Sequence, residues 1–156
     1  MNVKNLQVLQ SDRQWGFSLI ELLVVVAIVG ILAAVAFPAY REHVLRGKLQ
    51  MATSALADMR IKLEQFYQDN RTYVGACAGG TVAPLPGGDP ARYFDFDCPT
   101  LTASAFTARA RGRAAEGMNG FEYTIDQANA KSTVAVPAGW SGTGAACWVT
   151  RKDGSC

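Results

Sequence analysis

Residues 16–37 read GFSLIELLVVVAIVGILAAVAF, and from Phe17 to Phe37 the only charged residue is Glu21. As a helix, these 21 residues rise about 30 Å, enough to cross the hydrocarbon core of a bilayer. A buried core helix fits poorly, because a domain this small cannot surround a helix that is apolar on every side. A cleaved export signal is the rival reading: Ala34-Val35-Ala36 imitates an A-x-A cleavage site after a basic start. Against it stand the length of the block and Glu21 just inside its beginning. Residues 1–16 are polar, carry Lys4 and Arg13, and show no helical or strand period.

Working outward, Pro38 follows the block and should kink the helix by removing one hydrogen bond. The helical pattern then resumes. Leu45, Leu49, Ala52, Leu56, Met59, Leu63 and Phe66 fall at alternating steps of four and three, one apolar stripe with Asp58, Arg60, Lys62 and Glu64 off it. Barely three heptads favour packing on the chain's own sheet over a coiled-coil seam. Read through to Asn70, the helix from Phe17 would be roughly 80 Å long.

Residues 75–90 hold five Gly and three Pro and read as loop. Beyond them AFTARARGR and FEYTIDQ alternate apolar and polar residues, with Gly117 to Gly120 as the turn of an antiparallel hairpin. STVAV (132–136) and CWVT (147–150) read as two more strands. The expected fold is α+β: a long kinked N-terminal helix, its first half transmembrane, packed on a roughly four-stranded antiparallel sheet with disulfide-stapled loops. The division expected is 1–16 as leader, 17–40 as apolar helix and 41–156 as head.

The chain's 156 residues suit one domain, and 15 Lys+Arg against 13 Asp+Glu is too balanced for a general polyanion binder. Cys77, Cys98, Cys147 and Cys156 form an even set in a loop-rich head that reads as exported. Four cysteines allow three connectivities. Pairing sequence neighbours, Cys77 with Cys98 and Cys147 with Cys156, closes short loops where there is little core. It also makes residues 147–156 a stapled hairpin turning at Asp153-Gly154.

Gly16-Phe17-Ser18-Leu19-Ile20-Glu21 before a long apolar run resembles the prepilin signature of the type IV pilin superfamily. The resemblance extends to Gly30, Pro38, the long helix and the small disulfide-containing head. It implies that a membrane prepilin peptidase cuts between Gly16 and Phe17 and methylates the new Phe17 amine. It implies that Glu21 guides assembly by pairing with the N-terminal amine of a neighbouring subunit, with Gly30 and Pro38 belonging to the same assembly helix. The partners it implies are other pilin subunits, the peptidase, an inner-membrane assembly platform and the lipid bilayer. The precursor would cross the inner membrane once, with its head outside the cytoplasm, before joining an extracellular fibre. The 16-residue leader is longer than that of many major pilins, which fits a minor pilin better. The physics of Glu21 agrees: a carboxylate at the centre of a membrane helix costs about 2.5–3.5 kcal/mol, less near its end, so a charge partner is favoured. A protonated Glu21 is the alternative.

Two rival functions share these features. One is a pseudopilin of a type II secretion system. The other is a membrane-anchored receptor that binds DNA for uptake, for which Arg109, Arg111 and Arg113 would form a basic strand face. Glu122 and Asp126 on the next strand are placed to neutralise that face. Asp89, Asp95 and Asp97 lack the spacing of a calcium loop and read as turn formers. His43, the sole histidine, reads as a solvated or headgroup-level residue just past Pro38, which leaves no histidine for a Ser-His-Asp arrangement; with no second His and no Cys-x-x-Cys, no zinc site stands. No Gly-rich phosphate loop follows a strand. The sequence therefore implies no metal, no cofactor and no enzyme; its chemistry is done to it by the peptidase.

The junction of polar leader and apolar block sets the first prediction. Mass spectrometry of the mature protein should find Phe17 at the N-terminus with a methylated amine. A start at Phe37 would establish the export-signal reading instead.

Overall fold

The computed structural model describes residues 17–156. Helix α1 runs Leu19–Asn70, followed by a short helix α2, Gly88–Tyr93. Strands β1 (Phe94–Leu101), β2 (Phe106–Gly112), β3 (Glu122–Asp126) and β4 (Lys131–Ala135) come next. They form one antiparallel meander in the order β1-β2-β3-β4. Contacts divide the chain after Tyr40 into two compact units.

In the first unit, α1 starts on Ser18, whose Oγ accepts the Glu21 backbone N–H at 3.2 Å. This is half of a capping box, Ser-x-x-Glu, which satisfies one of the orphan donors of the first turn. Beyond it the large apolar side chains from Leu19 to Val35 are all exposed. Among the described residues, nothing covers this membrane-length apolar stretch.

The second unit is the head, Arg41–Cys156. Of the stripe, Leu49, Ala52, Leu56, Met59, Leu63 and Phe66 are buried, and Leu45 packs at its margin. They share one core with the inward residues of the sheet: Phe94 and Phe96 of β1, Phe106, Ala108 and Ala110 of β2, Tyr123 and Ile125 of β3. The two periods, 3.6 and 2, meet here as one apolar surface each. Small Ala108 and Ala110, both wholly buried, sit on β2, one of the two inner strands. Tyr73 continues this core outward, stacked on Tyr67 at 4.7 Å and edge-on to Phe106 at 4.9 Å. Its hydroxyl donates to Glu64 at 3.1 Å, and burial together with that carboxylate pushes its pKa up to about 12.

α1 stops at Asn70 because Arg71 turns into the left-handed region, φ 58°, and donates its N–H to the Tyr67 carbonyl at 2.7 Å. That is the single-bond left-handed cap, made here without the usual glycine. Two disulfides, Cys77–Cys98 and Cys147–Cys156, tie the loop after α1 to β1 and close the C-terminal loop.

The strand assignment differs from the sequence reading in two places. Residues 147–150 are not a strand. Trp148 and Val149 are both buried, so the segment has no alternation for a ladder to use. It is held by side chains instead. The buried Thr133 hydroxyl donates to the Cys147 carbonyl at 2.5 Å and accepts the Val149 N–H at 2.9 Å. The Tyr123 hydroxyl donates to the Val149 carbonyl at 2.6 Å and Trp148 Nε1 to the Thr124 carbonyl at 2.9 Å. Burial drives the Tyr123 hydroxyl pKa upward, so it stays a donor. The fourth strand is β1, whose FDFD start alternates cleanly. Pro99 and a register shift between Asp97 and Thr100 interrupt the ladder and hide it from pattern reading. Gly112 shows how tightly the β2–β3 connection closes: a Cβ there would lie 1.8 Å from the Met118 carbonyl oxygen.

Thr133 is the joint between sheet and C-terminal loop. Thr133→Val keeps the shape and strands the Val149 N–H and the Cys147 carbonyl. Urea denaturation of the full chain in neutral detergent should register a loss of about 1–3 kcal/mol, against near-neutrality for exposed Lys131→Ala.

Candidate functional site

Two regions carry charge or exposed apolar surface that the fold does not consume: the start of α1 and the solvent face of the sheet.

At the start of α1, Phe17 is 79% exposed and precedes the capped first turn. The cap places Glu21 at the third helical position, where the positive end of the helix dipole favours a carboxylate. Gly16, the other half of the expected cleavage pair, lies outside the described residues. Gly30 lies within α1, and nothing comes within 4 Å of where its Cβ would stand. The subunit's own packing therefore gives no reason for a glycine there, although glycine costs about 1 kcal/mol in a helix. Pro38 lies inside α1 and removes one backbone donor from the ladder.

The solvent face of the sheet is an ion-pair ladder. β2 sits between β1 and β3, with Arg109 opposite Asp97 on one side and Thr124 on the other, and Arg111 opposite Asp95 and Glu122. Arg109 grips Asp97 with two bonds, Nε to Oδ1 at 2.9 Å and Nη2 to Oδ2 at 2.5 Å, and reaches Glu122 at 3.6 Å. Arg111 lies 3.6 Å from the same Asp97 carboxylate, and Arg113 lies 2.6 Å from Asp95. The three arginines do share a face, but each has a carboxylate partner. Glu122 supplies part of the neutralisation. Asp95 and Asp97 of β1 supply most of it, and these are strand residues, not turn formers. Asp126, opposite Thr107, instead accepts the Ala130 N–H at the β3–β4 turn. In β1 the Asp-Phe-Asp alternation is a local strand signal, cut short by Cys98 and Pro99.

The Arg109 hydrogen bonds hold the Asp97 carboxyl below its ordinary value, and Asp97 in turn raises Arg109. Among the described residues, Lys131 and Lys152 have no carboxylate within salt-bridge distance. Lys131, exposed on the edge strand β4, places Nζ 4.8 Å over the Trp148 ring.

With this geometry in view, comparison with known proteins is direct. Residues 12–37 match the prokaryotic N-terminal methylation motif. Residues 38–120, just over half of the chain, match the family described as type IV minor pilin ComP, DNA uptake sequence receptor. The chain belongs to this family of type IV pilins. A type IV major fimbrial protein FimA of Dichelobacter nodosus is 42% identical over 74 residues, 47% of this chain and 43% of that protein. Fimbrial protein EcpC of Eikenella corrodens is 36% identical over 75 residues, 48% of this chain and 49% of its own length. The chain spans about half the length of the curated relatives it matches. Among solved structures, the non-core minor pilin PilV of Neisseria meningitidis superposes with a TM-score of 0.51 at 14% identity, covering 61% of this chain and 91% of that one. At that identity the likeness speaks for the pilin fold alone. The exposed apolar first stretch of α1 marks this pilin as membrane-anchored.

The Asp97–Arg109 pair makes this pilin's stability depend on acid. A depressed carboxylate contributes stability above its unfolded value, about 3.9. The contribution fades as pH falls through that value towards the folded one. Between about pH 5 and pH 2 the urea midpoint of the wild type should fall more steeply than that of Asp97→Asn, by up to one proton's worth of slope. Parallel curves would mean that the pair is fully screened by solvent.

Proposed function

We propose that this chain is a minor type IV pilin. It is inserted in the inner membrane with its head outside the cytoplasm and cut between Gly16 and Phe17 by prepilin peptidase. The new Phe17 amine is then methylated, and the assembly platform builds the subunit into a fibre. The observation that carries this reading is the stretch of α1 from residue 22 to 35, apolar on all sides and covered by nothing among the described residues. In a bilayer such a surface is solvated by lipid; in a fibre it is solvated by the same helix of neighbouring subunits. The uncrowded Gly30 supports close approach by a neighbour, since a glycine without a local packing reason still leaves its backbone open to one. Glu21 then pairs with the Phe17 amine of a neighbouring subunit. The test is to blot membrane and sheared-fibre fractions. Glu21→Ala and Glu21→Gln should both insert and be cleaved, yet be depleted from fibres. Wild-type incorporation of both would remove the charge-pairing role and leave Glu21 with its place in the helix cap. A pseudopilin would be retained with secretion components and absent from sheared fibres.

A second reading, that the head is a DNA receptor, is favoured by the match of residues 38–120 to the DNA uptake family. The three strand arginines expected to serve this purpose are bound to carboxylates. The better-suited groups are Lys131, with Trp148 beneath it, and Lys152 on the neighbouring C-terminal loop. An exposed lysine at the edge of a sheet can contact a backbone phosphate. Each lost phosphate contact should lower the salt slope of DNA binding by about one. Lys131→Ala with Lys152→Ala should therefore weaken binding of a short duplex and lower its log–log salt slope by about two, while Arg109→Ala chiefly destabilises the head. An unchanged slope in the double-lysine variant would move the DNA face elsewhere.

A further inference from the structure

The connection from β2 to β3 ends in Asn119-Gly120, a pair that the sites above do not use. Both residues lie in the turn from Met118 to Phe121, closed by the Phe121 N–H on the Met118 carbonyl at 3.3 Å. Gly120 has φ 89°, the left-handed value that favours glycine at the third residue of a turn. A Cβ there would also lie 2.9 Å from the Pro137 Cα, so close packing closes the position to any larger residue. Asn119 is exposed.

An asparagine is chemically labile through the backbone nitrogen that follows it, because that nitrogen can attack the side-chain amide. A nitrogen whose N–H is already held must first give up its hydrogen bond. The described residues contain Asn70, Asn119 and Asn129. After Asn70, the Arg71 N–H is taken by the Tyr67 carbonyl at 2.7 Å, and Asn70 Nδ2 is itself bonded to the Phe66 carbonyl at 2.9 Å. After Asn129, the Ala130 N–H is taken by Asp126 Oδ1 at 2.9 Å. The Gly120 N–H has no acceptor among the described residues. The related pair Asp153-Gly154 is held at both ends. Its Gly154 N–H meets the Arg151 carbonyl at 3.1 Å, and its carboxylate accepts the Ser155 N–H and hydroxyl.

We propose that Asn119 is a modification site, at which the folded head deamidates spontaneously to isoaspartate and aspartate. The Gly120 nitrogen loses its proton and attacks the Asn119 side-chain carbonyl carbon. A new C–N bond forms, the bond to the side-chain nitrogen breaks, and that nitrogen takes up a proton and leaves as ammonia. Water then opens the five-membered succinimide at one carbonyl or the other, giving aspartate or isoaspartate. Water is the only co-reactant. Ring closure requires the peptide unit between the two residues to rotate; its N–H has no bond to break, and glycine brings no Cβ to obstruct it. Either product adds one negative charge to a chain of net +2. Isoaspartate also adds one atom to the main chain, in a connection where the Met118 carbonyl oxygen already lies 1.8 Å from where a Gly112 Cβ would stand.

The test incubates the full chain, in an uncharged maltoside detergent, at two alkaline pH values one unit apart. Tryptic mapping against a zero-time sample follows each asparagine, and the peptide from Ala114 to Lys131 carries Asn119 and Asn129 together. The same peptide, made synthetically, gives the rates without a fold. Conversion at Asn119 should run within about tenfold of the free peptide, while the fold slows Asn129 at least tenfold more than it slows Asn119. The Asn119 rate should rise about tenfold per pH unit, since the attacking nitrogen must first lose its proton. Isoaspartyl methyltransferase should label the product. The acidic species should be missing from Asn119→Gln, whose longer side chain closes its ring far more slowly. A cooperative urea transition in the starting material and in the variant establishes that both heads are folded. Conversion at Asn119 slower than that limit, or slowed by the fold as much as Asn129, overturns the proposal and makes the turn a protecting one.

Discussion

Everything in the head depends on one burial: the stripe Leu49, Ala52, Leu56, Met59, Leu63 and Phe66 against the inward face of a four-stranded sheet. Each Leu- or Phe-sized side chain removed from water contributes about 1.5–3 kcal/mol, and the hydroxyls that the sheet buries, on Tyr123 and Thr133, are bonded to the C-terminal loop. The small alanines of β2 let the helix approach the middle of the sheet, while Phe94, Phe106 and Tyr123 fill the space around them. The order of the meander follows from the same surface. Antiparallel neighbours joined by short turns keep every inward residue on one side, with no crossover to bury.

The opposite face of that sheet solves a different problem. Three arginines on one strand would repel one another, and the sheet brings carboxylates from both neighbours to meet them. Arg109 stands at the centre with two acids, so the ladder ties β1, β2 and β3 through side chains as well as through the backbone. Exposed pairs of this kind contribute little singly, and the bidentate Arg109–Asp97 contact is the one whose geometry makes it count. A surface that looks basic along one strand is thus close to neutral in three dimensions. Among the described residues, Lys131 at the sheet edge and Lys152 on the C-terminal loop are without a carboxylate at salt-bridge distance.

That loop is held by specific hydrogen bonds as well as by its buried Trp148 and Val149. The Thr133 and Tyr123 hydroxyls and the Trp148 indole all bond its backbone or that of the strand beneath, and Cys147–Cys156 closes it. It carries the buried Trp148, over whose ring the exposed Lys131 of β4 lies. An irregular segment positioned by buried side-chain hydrogen bonds can hold polar groups at fixed places without extending the sheet, whose edge stays short.

By itself the sequence determined the elements whose period is long and unbroken. The 21-residue apolar block, the stripe of α1 and the alternating β2 and β3 were legible because 3.6- and 2-residue periods identify a buried face without knowledge of its partner. The prepilin motif at Gly16 to Glu21 was legible as a motif. Its Ser18 cap was also written there, in Ser-x-x-Glu, though it was overshadowed by the larger pattern. Tertiary structure alone decided the rest. β1 carries Pro99 and Cys98, so its identity as a strand comes from pairing with β2, not from propensity. Residues 147–150 are as apolar as a strand, but Thr133 and Tyr123 offer them side-chain partners, and no ladder forms. The fate of Arg109, Arg111 and Arg113 rested on which acids lay across from them, a matter of register between segments more than ten residues apart.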